Sequence, residues 1–241
     1  MGKLFVGCSG FNYRHWRGGV FYPESLPQKE EFNYYASIFN TVEINSTFYG
    51  LPIESTWKLW KRRAPEGFIY SVKMTRFLTH NNKLLRPEAY WYRFWAGAQK
   101  LDEHLGPILF QLPPKFATNT ARLVMLSKVI PHKLRVAFEF RDESWFDKRV
   151  YKILKNNNWA LVFASHLKFP WIVKSTADYV YLRFHGVPHL YSSNYQEEEL
   201  EKQADSIRNW LKRGLGVYAY FNNDAQGFAP KNALTLLKFL T

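Results

Sequence analysis

Ionisable and amide side chains recur at one kind of place in this chain, the end of a short apolar run. Glu43 and Asn45 close TVEINS, Lys73 closes IYSVKM, Gln111 closes PILFQLP, and Glu139 and Arg141 close RVAFEFR. Arg183 and His185 close YVYLRFHG, Asn222 and Asp224 follow VYAYF, and Ser9 closes LFVGCSG. Paired carboxylates serve as general acid and base, and an imidazole exchanges protons near neutral pH. Glu43, Glu139 and His185 are therefore the candidate catalytic residues. Lys73, Arg141 and Arg183 supply positive charge, and arginine holds phosphate or carboxylate through a planar two-bond fork. With Ser9, Asn45, Tyr49, Gln111, Trp145, Asn222 and Asp224 they form the candidate substrate-binding set. Trp16, Phe48, Tyr49 and Trp145 offer walls for a sugar ring or a base.

The same residues support a plainer reading. A buried charge is seldom unpaired, so each glutamate also reads as one half of an ion pair that holds strand ends together. Lys73 has the alternative chemistry of a Schiff-base amine if burial lowers its pKa. His80 and His166 fall in strand-end loops. No cofactor motif is present: there is no G-x-G-x-x-G after the first strand and no G-x-x-x-x-G-K-[ST]. A divalent metal has oxygen and nitrogen donors available, but neither H-E-x-x-H nor a paired-cysteine spacing supports one. Ser9 lacks the G-x-S-x-G setting of a serine nucleophile.

The runs that carry these groups read as eight strands, at 3–9, 41–46, 68–74, 107–112, 135–141, 160–165, 179–185 and 216–223. Neighbouring side chains in a strand face opposite ways. The charged set therefore takes one face and an apolar set (Val42, Ile44, Val136, Phe138, Phe140, Val180, Leu182, Phe184) takes the other. Helical patterns fill 30–39, 54–64, 87–104, 119–129, 146–156, 196–213 and 229–240, with a weaker one at 169–177. Alternation of strand and helix predicts an α/β fold with parallel strands, and eight units in 241 residues favour one TIM-like (β/α)8 barrel over residues 1–241. That fold places its site at the carboxyl ends of the strands. The loops after strands seven and eight, HGVPH and NNDAQGFAP, bring Gly186 and Gly227 to the usual phosphate position.

Composition narrows the function class. Hydrophobic residues make up 46% of the chain, which excludes disorder. No apolar stretch approaches the roughly 20 residues of a membrane span, and the start runs directly into a strand. One cysteine, Cys8, suits a reducing compartment. A cytoplasmic protein without membrane partners is expected. The net charge is +13, and between Ser55 and Lys100 ten basic residues face two acidic ones, a net of +8. Tryptophan and tyrosine interleave there, a combination that suits nucleic acid through phosphate attraction and base stacking.

The strand-end segments carry a resemblance. GCSGFNYRHWRGGVFYP, VEINSTFYGLP, SVKMTRFLTH, LFQLPP, AFEFRDESW, YLRFHG and YFNNDAQGFAPKNA together resemble the DUF72, or YecE-like, family over nearly the whole chain. The resemblance implies a TIM-barrel-like fold related to that of sugar isomerases and apurinic endonucleases. It implies no reaction and carries over no catalytic residue. The residues themselves favour acid–base chemistry on an anionic substrate, a phosphorylated sugar or a nucleic-acid sugar–phosphate unit. Two alternatives stand beside it: a nucleic-acid binder without chemistry acting through segment 55–100, and a carbohydrate enzyme on neutral sugars.

Overall fold

A computed structural model describes residues 1–165, 174–186, 189 and 191–241. In chain order the strands are β1 (Leu4–Cys8), β2 (Thr41–Ile44), β3 (Ile69–Lys73), β4 (Leu105–Gln111), β5 (Val136–Glu139), β6 (Ala160–Ser165), β7 (Tyr179–Phe184) and β8 (Gly216–Phe221). The helices are α1 (Glu31–Ile38), α2 (Ser46–Tyr49), α3 (Glu54–Arg63), α4 (Pro87–Ala98), α5 (Thr120–Val129), α6 (Lys148–Asn156), α7 (Glu197–Lys212) and α8 (Phe228–Leu240). The strand order, β1-β8-β7-β6-β5-β4-β3-β2, follows the chain, and the fold is the expected α/β, TIM-like (β/α)8 class. His166 and most of the segment 169–177 lie outside the described residues.

Helix ends follow local chemistry. Pro87 opens α4, where its missing N–H costs nothing. Asn119 Oδ1 accepts the Arg122 amide at 3.1 Å, and Asp147 Oδ1 accepts the Arg149 amide at 2.8 Å, so α5 and α6 each begin with a satisfied donor. Gln196 and Glu199 form a reciprocal capping box on α7, whose first turn carries Glu197, Glu198 and Glu199 against the positive end of the helix dipole.

Two compact units make up the chain: Met1–Glu43 with Phe163–Ile172 and Tyr179–Thr241, and Ile44–Val162 with Val173–Asp178. In the first, β1, β8 and β7 pair in parallel. One face carries Phe5, Tyr179, Tyr181, Tyr218 and Tyr220, with Tyr218 stacked on Phe5 at 4.7 Å and Tyr181 and Tyr220 5.1 Å apart. Alternate residues Val6, Cys8, Val180, Leu182, Phe184, Val217, Ala219 and Phe221 form the other face, and both faces are buried. This is the environment of parallel strands covered on both sides. Gly7 is required where β1 runs close to its neighbours: a Cβ there would sit 2.1 Å from the Thr41 carbonyl oxygen and 2.7 Å from the Tyr35 hydroxyl.

In the second unit, β3, β4, β5 and β6 pair in parallel, with an irregularity in β3 between Tyr70 and Val72. Phe110, Phe138, Phe140, Trp145 and Trp159 form a continuous aromatic core: Phe110 stacks on Phe138 at 5.1 Å, Trp159 lies 5.2 Å from Phe138, and Trp145 stacks on Phe140 at 4.8 Å.

Helices α3 and α4 of this unit meet at a point where an aromatic needs a glycine. Trp57 is fully buried and donates its indole N–H to the Pro52 carbonyl at 3.1 Å. A Cβ on Gly97 would lie 2.3 Å from that indole nitrogen and 2.6 Å from the adjoining ring carbon. Alanine for glycine in a helix ordinarily adds about 1 kcal/mol of stability. Here the clash opposes it, since overpacking a filled core costs about 1–3 kcal/mol. Gly97→Ala is expected to lower the urea midpoint, by a net loss of about 1 kcal/mol. A midpoint at or above that of the parent would show that Trp57 moves aside freely.

Candidate functional site

The first unit gathers Ser9, Glu43, Tyr181 and Arg183. Arg183 and Tyr181 lie two residues apart in β7 and so share a face, Glu43 lies in β2, and Ser9 follows β1. Glu43 is 0% exposed and Arg183 2% exposed. Glu43 Oε1 accepts from Ser9 Oγ at 2.7 Å and from Arg183 Nη2 at 2.7 Å, and Oε2 accepts from the Tyr181 hydroxyl at 2.6 Å. Burial alone would raise this carboxyl. The Arg183 guanidinium and the bonds from Tyr181, Ser9 and Arg183 outweigh it and hold the group below the ordinary carboxylate range. Glu43 is thus a buried anion with three donors on its two oxygens.

Asp224, just after β8, belongs to a neighbouring group. Its Oδ1 accepts the Trp16 indole N–H at 2.5 Å, and His15 Nε2 lies 2.9 Å from Oδ2. Burial raises the Asp224 carboxyl above its ordinary value against the lowering effect of those two partners. Asn222 places its backbone N–H on the Phe184 carbonyl at 3.0 Å. His185 is fully buried; its amide donates to Ser165 Oγ at 3.0 Å and its ring meets Tyr191 edge-on at 5.7 Å. The loop after it is fixed by an amide web: Asn223 Nδ2 donates to the Ser193 carbonyl at 2.9 Å and to Asn232 Oδ1 at 2.8 Å. Part of that loop, residues 187, 188 and 190, lies outside the described residues.

The second unit gathers Lys73, Gln111, Glu139 and Arg141 with His80 and Phe48. Lys73, Gln111 and Glu139 are the last residues of β3, β4 and β5, and Gln111 is the direct register partner of Glu139. Lys73 Nζ donates to Gln111 Oε1 at 3.0 Å and lies 4.2 Å from the centroid of the Phe48 ring. Arg141 Nη2 pairs with Oε1 of the buried Glu139. His80 sits on a single turn of π-helix, Phe77–Asn81, with its ring edge-on to Phe48 at 4.9 Å and Nδ1 3.0 Å from Thr79 Oγ1. Such turns recur at functional sites. The half-buried imidazole is pushed down to about 4, first by burial and then by the Lys73, Arg76 and Arg141 charges, with Glu139 opposing. It is neutral over the physiological range.

The segment after this turn is strained. Lys83, Leu84 and Arg86 all have left-handed backbone, with φ of 49°, 63° and 46°. Non-glycine residues pay for that conformation and persist in it only where the surroundings enforce it. Here the enforcement is visible: the Leu84 amide donates to the Leu78 carbonyl at 2.9 Å, and Arg122 donates to the Lys83 carbonyl at 2.9 Å.

The remaining sequence-derived residues lie outside these two hydrogen-bonded groups. Trp145 is fully buried, stacked on Phe140, and donates its indole N–H to the Phe116 carbonyl at 2.6 Å; it packs the core of the second unit. Tyr49 is exposed, and Asn45 precedes α2. Sequence reasoning leaves Tyr181 and His15 outside the catalytic and binding set, gives Phe48 only as a wall, and reads His80 only as a loop histidine. Tyr181 had a signal, its position two residues before Arg183 on the same strand face. Among the described residues no group of three or more His, Cys, Asp or Glu is gathered as for a metal ion, and no helix is long and apolar enough to cross a membrane.

The Glu43 cluster carries a prediction about stability. Removing one partner of a buried ion pair strands the other charge, at about 3–5 kcal/mol. Arg183→Met should cost about that much in urea unfolding, and the double change Arg183→Met with Glu43→Gln should cost clearly less. Equal losses in the single and double variants would mean that Glu43 does not depend on Arg183 for its charge.

Comparison with known proteins places this chain in a wider group. UPF0759 protein YunF of Bacillus subtilis (strain 168) is 25% identical over 98% of this chain and 94% of its own length. The crystal structure of a DUF72 family protein, TM1631 of Thermotoga maritima, is 30% identical with a TM-score of 0.89, covering 99% of each chain. That of EF0366, a DUF72 family protein of Enterococcus faecalis V583, shares the fold at 21% identity and a TM-score of 0.83, covering 98% of this chain and 95% of the other. The model of the family described as protein of unknown function DUF72 matches residues 5–241, and with the motifs and the fold already described, the chain belongs to the DUF72 family.

Proposed function

We propose that the protein is an enzyme using acid–base chemistry on a small anionic substrate, and that Lys73, His80, Glu139 and Arg141 carry the reaction. The observation behind this reading is the cluster at the ends of β3, β4 and β5, where Lys73 meets Gln111, Arg141 pairs with Glu139, and the Phe48 ring contacts both Lys73 and His80. Those cations attract a phosphate or carboxylate, and Arg141 presents the fork that binds one through two bonds. Burial first, and these charges after it, make His80 a weak base while the site holds no anion. A dianion bound among them cancels their field, raises the imidazole toward neutral pH and so strengthens the base once substrate is in place. Glu139, paired with Arg141, is the second proton-transfer candidate retained from the sequence. Glu43, with three donors, is read as the group that positions Arg183 and Tyr181, and His185 as part of the wall of its loop. The surplus of cations over carboxylates favours an anionic substrate over a neutral sugar.

Two measurements test the reading. The His80 ring proton, followed by NMR against pH, should titrate near 4 without ligand and shift upward by at least about one unit in saturating ribose 5-phosphate. Lys73→Met should weaken ribose 5-phosphate binding about tenfold, the value of one charge-assisted hydrogen bond. A His80 titration indifferent to the phosphate, with binding unchanged in Lys73→Met, rejects the site.

Acid stability gives an independent check on His80. Its folded pKa, about 4, lies below the ordinary value of 6.5, so the unfolded chain takes up the proton first. Its contribution is complete above about 6.5 and is lost as pH falls toward 4. After allowance for solvent screening the loss is on the order of 1 kcal/mol. His80→Gln should flatten the pH dependence of unfolding in that window; a slope identical to the parent's would place the titration elsewhere.

A further inference from the structure

The second unit contains a cavity of about 440 Å³ lined by Phe48, Tyr49, Thr75, Phe77, Tyr90 and Arg93 among others. It shares Phe48 with the cationic group: one ring borders the cavity, carries the Lys73 ammonium at 4.2 Å and meets His80 at 4.9 Å. Thr75 follows Lys73 by two residues. Two of the lining aromatics are held in water, Tyr49 at 72% and Phe77 at 52% exposed. Large aromatic surface kept exposed around a concavity marks a place where something else covers it. Arg93, Thr75 and Tyr90 line the same cavity.

We infer that this cavity receives a nucleobase and that the substrate class of the proposed site is a nucleotide, its phosphate held toward Lys73 and Arg141 and its base stacked between Tyr49 and Phe77. This rests on the anion-binding reading given above and narrows it. A phosphorylated sugar satisfies the cations but leaves the aromatic walls in water. A neutral sugar stacks on the walls but leaves the cations without a ligand charge. A nucleotide has a flat π-face for the first, a phosphate for the second, and ring nitrogens and exocyclic groups for Arg93, Thr75 and Tyr90. The volume falls within the range of small-molecule sites. The basic character of Ser55–Lys100, net +8, surrounds the cavity residues from Thr75 to Arg93 in the sequence.

Titration calorimetry on the full chain distinguishes the possibilities, with the 5′-monophosphates of adenosine, guanosine, cytidine and uridine set against ribose 5-phosphate. At least one nucleotide should bind tenfold or more tightly than ribose 5-phosphate. The double variant Tyr49→Ala, Phe77→Ala removes exposed side chains and should retain the parent's unfolding midpoint. In it the nucleotide should fall to the affinity of ribose 5-phosphate, while ribose 5-phosphate itself is unchanged. If ribose 5-phosphate binds through Lys73 and no nucleotide gains over it, or if the double variant leaves the gain intact, the base pocket is overturned and the anion site stands. Failure of all five compounds to bind overturns both.

Discussion

A carboxylate removed from water has to be given a cation, and this requirement organises both units. Parallel strands buried on both faces leave little room for ionisable groups except near their carboxyl ends. There the chain places two glutamates, Glu43 and Glu139, which are 0% and 1% exposed. Each is answered by an arginine, Glu43 by Arg183 and Glu139 by Arg141. Desolvating either charge without its partner would cost several kcal/mol. The strand registers, the tyrosine face beneath Glu43 and the aromatic core beside Glu139 are all compatible with those pairs, and a slip of one residue would turn each glutamate to the opposite face.

Much of this is legible in the sequence because it depends on period two. Reading Arg183 and His185 together, or Glu139 and Arg141, needs only the alternation of side chains along a strand, and the observed strands fall within about two residues of the expected ones in most cases. Trp145 shows the limit of that logic. It lies beside charged residues in AFEFRDESW, yet its neighbour in space is Phe140, on the apolar face, and it packs there. Tyr181 shares a strand face with Arg183, but tyrosine also reads as core, and the proximity of Glu43 is what gives its hydroxyl an acceptor. His80 depends on a π-turn and on three left-handed residues after it, neither of which has a periodic signature.

The strained stretch after the π-turn bears on the proposal that the second unit carries the chemistry. Backbone energy stored at Lys83, Leu84 and Arg86 has to be offset by contacts nearby, and Leu84 supplies some of them by being fully buried. A chain selected only for stability would place glycine or asparagine at such positions. Retaining three larger side chains there makes sense if the turn must hold Phe77 and His80 in one arrangement.

The two buried clusters differ in what a proton can do in them. Glu43 has donors on both oxygens and a guanidinium against it, so its neutral form would give up an acceptor position and strand the Arg183 charge. That carboxyl is electrostatically locked in one state, which suits it to orienting other groups and not to exchanging protons. His80 has one hydroxyl partner, is half-buried, and is kept neutral chiefly by burial, with added pressure from cations whose field a ligand can cancel. Its two protonation states are therefore separated by an amount that an incoming anion changes. A proton-transfer group has to be able to visit both states during turnover. By that criterion the second cluster suits the proton transfer proposed for it and the first suits the support of its own unit, although both pair a buried glutamate with an arginine near the carboxyl ends of strands.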